Sequence, residues 1–504
     1  MRGTVALCLV AMVISLSAAI AAVTPVPIEG KLLVQSWDTD WLYHAAFLEG
    51  TSDNVVPLPW VYDFTEVSPD TSRIVYDVRT AAGVGLAETG DVWVANIDGS
   101  GAVDLTGATS LGGVNCNPTW SPDGRMIAFQ HADPAPGQVT CEAGFQVWLM
   151  ADDGSDLHQW LSAPAHSTMA AAWSPDGYQL MCEAPSLTCV TGDITGASTS
   201  VVSGLSGRDA QWSRDGSKIV YTAIEATESG EPGVRTRLYL ADADGSNAQV
   251  LVEQLLTDAD LADHIALHAF EPADSDWIGQ IRWVVGPRKP RWSPRGDSIA
   301  FEAALPFDPN GPEFWFQVEV WLYDLTTHEV TQLTSNAAWD ERLSWAGPNT
   351  SATHPTVTVY DTSATFSQVD EEGWTSIIRT DDAPALPASY RPVGNTYDLH
   401  TTALVTGPAE VAMGYDAAAV PDAAEGHLKL LRYEEGTAQW EDITTSRDFT
   451  NHVIHGETDT LGLMRLAWPL PESDFSDVSD SPTDPFWALW EIQAACDAGI
   501  VQGY

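Results

Sequence analysis

His264 and His268 lie four residues apart, a spacing that sets two imidazoles on one face of a helix, yet the neighbouring residues supply no third metal ligand in register. Asp242-Ala-Asp-Gly-Ser-Asn247 and Asp152-Asp-Gly-Ser-Asp156 have the oxygen-rich spacing of calcium loops. They lack the downstream bidentate glutamate of an EF-hand and fall between strand-like runs, so they read as hairpin turns. The chain contains no Gly-x-Ser-x-Gly elbow, no His-Glu-x-x-His helix and no phosphate-binding Gly-x-x-x-x-Gly-Lys loop. Its 70 acidic residues are too numerous for abundance alone to locate a pair suited to glycoside cleavage. The expectation from motifs is therefore a chain with no catalytic residues, no cofactor and no metal.

Against 22 Lys and Arg, those acids give 504 residues a formal charge of −48. Such a surface repels phosphate backbones and anionic headgroups, which excludes nucleic acid as a partner and suits solubility. Residues 1–22 read as a secretory signal peptide: Arg2, an apolar run from Val5 to Ile20, and a small-residue exit at Ala21. No other segment reaches the roughly 18–20 apolar residues of a membrane span, so a secreted protein of the bacterial cell surface or periplasm is expected. Export permits disulfides. Cys182 and Cys189 flank a hairpin and form the favoured pair, Cys116 with Cys141 is a further possibility, and connectivity stays open.

The strongest pattern is a repeated phrase. Trp120 opens WSPDGRMIAF, Trp173 opens WSPDGYQLMC and Trp212 opens WSRDGSKIVY, with weaker copies at Val67, Trp292 (WSPRGDSIAF) and Trp345. Proline suits the first central position of a turn, Asp bonds nearby backbone, and Gly124, Gly177, Gly216 and Gly296 supply the positive φ that returns the chain into a strand. The tryptophans offer large apolar bodies for packing between sheets. A second phrase, as in Gln146-VWLMADDGSD and Arg237-LYLADADGSN, adds a further strand and turn, so each unit of about 40–50 residues makes a four-stranded sheet. Stacked units of this kind build a β-propeller.

These residues, W-S-P-D-G then I-A-F, V-W-x-M and D-G-S, resemble the WD40-like (PD40) repeats of TolB propellers, over residues 31–360. The resemblance implies an all-β fold with a six-bladed propeller, closed where residues 31–58 and the stretch after Trp345 share one blade. Residues 251–290 read as an insertion or a degenerate seventh blade, with the insertion favoured and a face-lining loop its expected role.

Past Phe366 the repeat stops, and short alternating strands predict a small β-sandwich over 366–470. Its phrase Trp440-Glu-Asp-Ile-Thr-Thr resembles ZU5-like modules, which implies a spacer or contact role. In residues 473–504, Phe475-Ser-Asp-Val478, the helical stripe from Phe486 to Ile492 and Gly499-Ile-Val-Gln-Gly503 resemble the opening half of an S-layer homology repeat. That family holds proteins to envelope polysaccharide, and by the resemblance Asp477 and Trp487 stand at glycan-binding positions; Trp487 is equally a helix-core residue. The repeat is expected to continue beyond Tyr504.

Taken together, the sequence predicts a non-catalytic exported protein whose propeller face binds a protein, peptide or glycan and whose C-terminal region tethers it to the envelope. Two other readings compete with it, a propeller enzyme acting on polysaccharide or peptide and a soluble periplasmic accessory protein. An enzyme would converge Asp, Glu, His or Arg on one channel mouth, whereas a binding module would show aromatic and mixed polar residues there.

Overall fold

Each Ser-Pro-Asp-Gly phrase folds as its chemistry demands. In the computed structural model the serine hydroxyl donates to the aspartate, Ser121 to Asp123 at 2.6 Å and Ser174 to Asp176 at 2.5 Å. The same hydroxyls accept the backbone N–H of Met126 and Gln179, and Gly124, Gly177, Gly216 and Gly296 all have φ between 66° and 80°. The structure describes residues 27–37, 43–58, 63–80, 89–109, 111–133, 145–165, 171–183, 188–196, 199–226, 233–257, 286–304, 318–335 and 339–470.

The chain divides at Pro348 and Asn349. In the first unit the described strands form an antiparallel β-propeller. Four-strand units start at the inner strands Asp63–Val67, Val114–Trp120, Ala172–Trp173, Arg208–Trp212 and Arg288–Trp292. A further sheet joins the two ends: the inner strand Trp339–Ala346 pairs with Pro27–Trp37, which pairs with Tyr43–Pro57. Gly30 makes this seam possible. Its φ is +63°, and a Cβ there would stand 2.4 Å from the Ala346 carbonyl oxygen.

The hydrophobic core lies between the sheets rather than within any one of them. Val75, Val92 and Val94 of one sheet pack with Trp120, Ile127 and Phe129 of the next, and Val220 and Leu238 pack with Trp292 and Phe301. The last sheet meets the first through Leu33, Phe47, Val67 and Tyr76. A lone four-stranded sheet would leave both faces wet, so burial requires the ring. Two of the repeat tryptophans bond across such an interface and a third bonds within the closing sheet. The indole N–H of Trp173 donates to the Thr119 carbonyl and that of Trp292 to the Gln211 carbonyl, both at 3.4 Å, and that of Trp345 to the Glu29 carbonyl at 2.6 Å.

The second unit is a sandwich of two five-stranded sheets around Val411, Leu430, Ile454, Met464 and Leu466. Its first strand is Thr356–Val359, which pairs with Thr362–Phe366. The sequence reading placed residues up to 360 in the ring; the alternation of Val357 and Val359 with exposed threonines serves the sandwich instead. Similarly, residues 251–257 complete the strand Gln249–Thr257 and 288–290 begin the next inner strand, so those ends of the expected 251–290 insertion belong to regular sheet. The remainder, 258–285, lies outside the described residues, as do the signal segment and residues 473–504.

Candidate functional site

The inner strands carry a device that the repeat motif does not advertise. In five of these strands the chain bulges three residues before the Trp position, which is Val67 in the first, and the residue there has positive φ without being glycine: Phe64, Asn117, Asp209, Lys289 and Arg342, with φ from 36° to 58°. An L-residue avoids this conformation unless its surroundings hold it. The bulge also removes N–H groups from the ladder, which must then find other partners.

Polar side chains of neighbouring sheets provide them. Glu302 Oε1 accepts the Arg342 N–H at 2.6 Å, Asp209 Oδ2 accepts the Lys289 N–H at 3.2 Å, and Gln35 Oε1 accepts the Thr65 N–H at 3.4 Å. Gln35, Asp77, Gln130 and Glu302 are fully buried. Three of them follow the apolar triplet of the second strand, in Ile-Val-Tyr-Asp77, Ile-Ala-Phe-Gln130 and Ile-Ala-Phe-Glu302. A polar residue recurring at one repeat position in an otherwise buried strand was the signal that could have exposed this site.

The bulges bring charged and aromatic groups of successive inner strands together. Glu302 is shared by Arg288 at 2.9 Å and Lys289 at 3.5 Å. The Arg342 guanidinium lies 4.0 Å from the Phe64 ring centroid, and Arg79 lies 4.9 Å from the same ring. Arg79 pairs with the buried Asp77 at 2.6 Å and reaches Asn117 Oδ1 at 3.3 Å; Asn117 in turn donates to Gln130. This chain of contacts, from Asp209 to Gln130, runs without a break across five successive sheets.

On the same inner strand as Phe64, Glu66 accepts from the Thr119 hydroxyl at 3.1 Å and the Trp120 N–H at 3.3 Å. Burial pushes its carboxyl up, against the pull of Arg291 and Arg214. Arg214 itself is lowered to about 10 by burial, with its guanidinium on the carbonyls of Trp292, Ser293 and Trp345. Glu66, Arg214 and Arg291 are half-buried.

At the turn end, burial pushes Glu29 up to about 7 although Arg295 stands 2.5 Å away. A carboxyl whose folded value exceeds its ordinary 4.5 holds its proton more tightly when folded. Its contribution to stability is complete below pH about 4.5 and is lost as pH rises through about 7. Thermal melts should therefore show stability falling between pH 5 and 7.5, with a shallower fall in Glu29→Gln; parallel pH profiles for the two proteins would refute it.

The other sequence-level sites separate clearly. Asp152 pairs with Arg73 at 2.7 Å, and Asp242 with Lys218 and Asn247, while Asp153 and Asp244 accept from the turn's own backbone; both calcium-like loops are hairpin turns. Among the described residues no group of three His, Cys, Asp or Glu is placed to hold a metal. His264, His268, Asp477 and Trp487 lie outside the described residues. Cys182 is buried and stands opposite Val190, with Cys189 opposite Glu183; the Cys189 side chain lies outside the described set. No helix among the described residues is long and apolar enough to cross a membrane.

No family model matches the chain. Over 134 residues it is 25% identical to the uncharacterized peptidase YuxL of Bacillus subtilis (strain 168), covering 26% of this chain and 18% of that protein. The chain thus spans under a fifth of that relative's length. Similar solved structures include TolB from Acinetobacter baumannii, with 14% identity, TM-score 0.43 and coverage of 63% of this chain and 67% of that one. An oligogalacturonate lyase from Vibrio parahaemolyticus is also similar, with 14% identity, TM-score 0.33 and coverage of 58% and 77%. The expectation of a non-catalytic chain is corrected by these findings. Part of its sequence is shared with a protein named as a peptidase.

Proposed function

We propose that this is an exported, envelope-associated protein whose six-bladed propeller recognises a peptide or glycan chain at the bulge-side mouth of its channel. The observation that carries the reading is the unbroken run of contacts joining Asp209, Lys289, Glu302, Arg342, Phe64, Arg79 and Asn117. Strained backbone held in place by buried polar groups of the neighbouring sheets presents these side chains in a fixed arrangement. The resemblance of residues 473–504 to an S-layer homology repeat supports a tether to envelope polysaccharide. The test is binding of the full chain to peptide and glycan panels, alongside Arg342→Ala, together with sedimentation on isolated envelopes. Ligand capture that the substitution abolishes and co-sedimentation with envelopes are expected; equal capture by the variant would refute the site, and a protein that stays in the supernatant would refute the tether.

A specific observation favours a second reading, in which the channel also turns its ligand over. Burial of Glu66 raises its proton affinity against the pull of Arg291 and Arg214, and a buried carboxyl that keeps its proton, with Thr119 and Trp120 donating to it, can serve as a general acid. Glu66→Gln keeps the acceptor for Thr119 and Trp120 but has no proton to give. Turnover of a bound peptide or glycan should fall by about 100-fold or more in that variant, with binding retained; unchanged turnover would remove Glu66 from the chemistry.

A further inference from the structure

We propose that one end of the sandwich in the second unit is a docking surface for a basic peptide segment, gripped through Tyr360, Asp361 and Phe449. One sheet of that sandwich runs in the order Thr356–Val359, Thr362–Phe366, Ala409–Gly414, Val453–Thr458 and Thr444–Asp448. Its register aligns Val359, Thr362, Met413, Ile454 and Arg447 in one row. The two hairpin tips just beyond that row, Tyr360-Asp361 and Phe449 to His452, therefore share an end, with Gly414 and Tyr415 between them. Backbone bonds tie it together: the Gly414 N–H donates to the Asp361 carbonyl at 2.8 Å and the Tyr415 N–H to the His452 carbonyl at 3.0 Å. The first ground is aromatic surface. Among the described side chains only two of Phe, Tyr or Trp are exposed, Tyr360 at 38% and Phe449 at 47%, and both stand on these tips. Tyr360 holds φ at +52° in a two-residue loop, a position that Gly, Asn or Asp takes with less strain. An exposed ring kept where the backbone is strained points to a use outside the fold.

The second ground is charge. The Asp361 side chain lies against Gly414, where an added Cβ would come within 2.7 Å of its Cβ and 3.1 Å of its Oδ2. The Thr362 hydroxyl donates to it at 3.4 Å, burial pushes the carboxyl up, and no cation among the described residues pulls it down. The other carboxylates of this end serve the fold: Asp416 accepts the Ala418 N–H, Asp448 accepts those of Thr450 and Asn451, and Glu425 takes the Tyr415 hydroxyl at 2.7 Å beside His452 Nδ1 at 3.5 Å. The cations of the neighbouring strands turn to other partners. Arg447 donates to the Leu428 carbonyl at 2.6 Å; in the facing sheet Lys429 pairs with Asp442 at 2.8 Å, and Arg391 donates to the carbonyls of Ala388 and Tyr390 at 3.3 Å. An arginine from a partner supplies the missing charge, pairing with Asp361 while its guanidinium lies over Tyr360. The two tips are three strand spacings apart, about 14 Å, which is roughly four residues of extended chain. The occupant is therefore an extended segment with a second arginine about four residues on, over Phe449. Anionic lipid, or a second copy of a chain carrying −48, is repelled from the same end.

The experiment is calorimetric titration of the full-length protein with four probes: a short peptide with two arginines four residues apart, the same peptide with citrulline for arginine, a neutral glucan oligomer and vesicles of anionic lipid. Because 70 acidic residues attract any cation, the readout is the difference between the wild type and Tyr360→Gly or Phe449→Ser, which leave every charge in place. Binding of the arginine peptide is expected to weaken about tenfold or more in each of these variants and in Asp361→Asn, and on replacing arginine by citrulline. Glycine accepts a φ of +52° without strain, so Tyr360→Gly should melt at about the wild-type temperature, which separates lost binding from lost folding. Equal affinity in the wild type and both aromatic variants would reduce the binding to general charge attraction and overturn the surface. Equal binding of the citrulline peptide would overturn the cationic class. Glucan bound by the wild type and lost in the aromatic variants would overturn the peptide in favour of a saccharide, and vesicle capture lost in them would do so in favour of lipid. Binding of none of the four would overturn the inference outright. All three substitutions lie in the second unit, so this test and that of the bulged strands fail separately.

Discussion

Trp345→Ala is expected to destabilise the propeller by about 3–5 kcal/mol, the range for truncating a buried aromatic. Trp345 is 6% exposed and packs with Leu32, Val34, Leu343 and Leu322. Its indole N–H donates at 2.6 Å to the carbonyl of Glu29, 316 residues away in the chain. The other tryptophans join sheets that are already neighbours in sequence, whereas this one sits on the strand that holds the N-terminal strands in the ring. Opposite it in register is Leu32. The loss should therefore be felt first at the seam, with faster hydrogen exchange for amides of Pro27–Trp37 than for those of Lys218–Ala226. Trp345→Phe retains most of the apolar area and loses one hydrogen bond, a change of about 1 kcal/mol on top of the smaller packing loss. Unchanged exchange at residues 27–37 in the alanine variant would refute the seam argument.

The parts of this fold that were legible in the sequence are those decided within one repeat. Ser121, Asp123 and Gly124 satisfy each other locally, so their types and spacing announce a turn before any neighbour is known. The bulges are different. Lys289 holds a positive φ because Asp209, 80 residues earlier, receives its N–H, and Arg342 because Glu302 does so from the adjacent sheet. Those partners meet only once the ring exists. The same reason explains the misplaced boundary: the strand Thr356–Val359 has the alternation of any half-buried strand, and only its partner Thr362–Phe366 assigns it to the sandwich. The absence of a nucleophile motif was legible too, but the expectation of no catalysis drawn from it is corrected by the sequence shared with a protein named as a peptidase. Groups such as Glu66 acquire their proton affinity from surroundings assembled by several blades, which no linear motif records.

Glu302 provides the sharpest test of how the mouth is built. Its side chain is fully buried, contacts Arg288 and Lys289, and accepts the N–H of Arg342 at a strained bulge. Removing one partner of a buried ion pair leaves the other charge without compensation, so Glu302→Leu should cost about 3–5 kcal/mol. It also orphans the Arg342 N–H, a further loss of about 1–3 kcal/mol if water cannot reach it. Glu302→Gln keeps an acceptor for that N–H while deleting the charge, and should fall between the wild type and the leucine variant. Chemical denaturation of the three proteins measures the order. A double-mutant cycle with Arg288→Met then isolates the pair, because removing the cation together with the carboxylate should recover part of the loss. If the leucine and glutamine variants were equally stable, the bulge would not depend on Glu302 for its hydrogen bond. If the cycle showed no coupling, the pairing would not be what holds the cations in place. Coupling of about 1–3 kcal/mol would mean that buried Glu302 holds Arg288 in place beside the bulge.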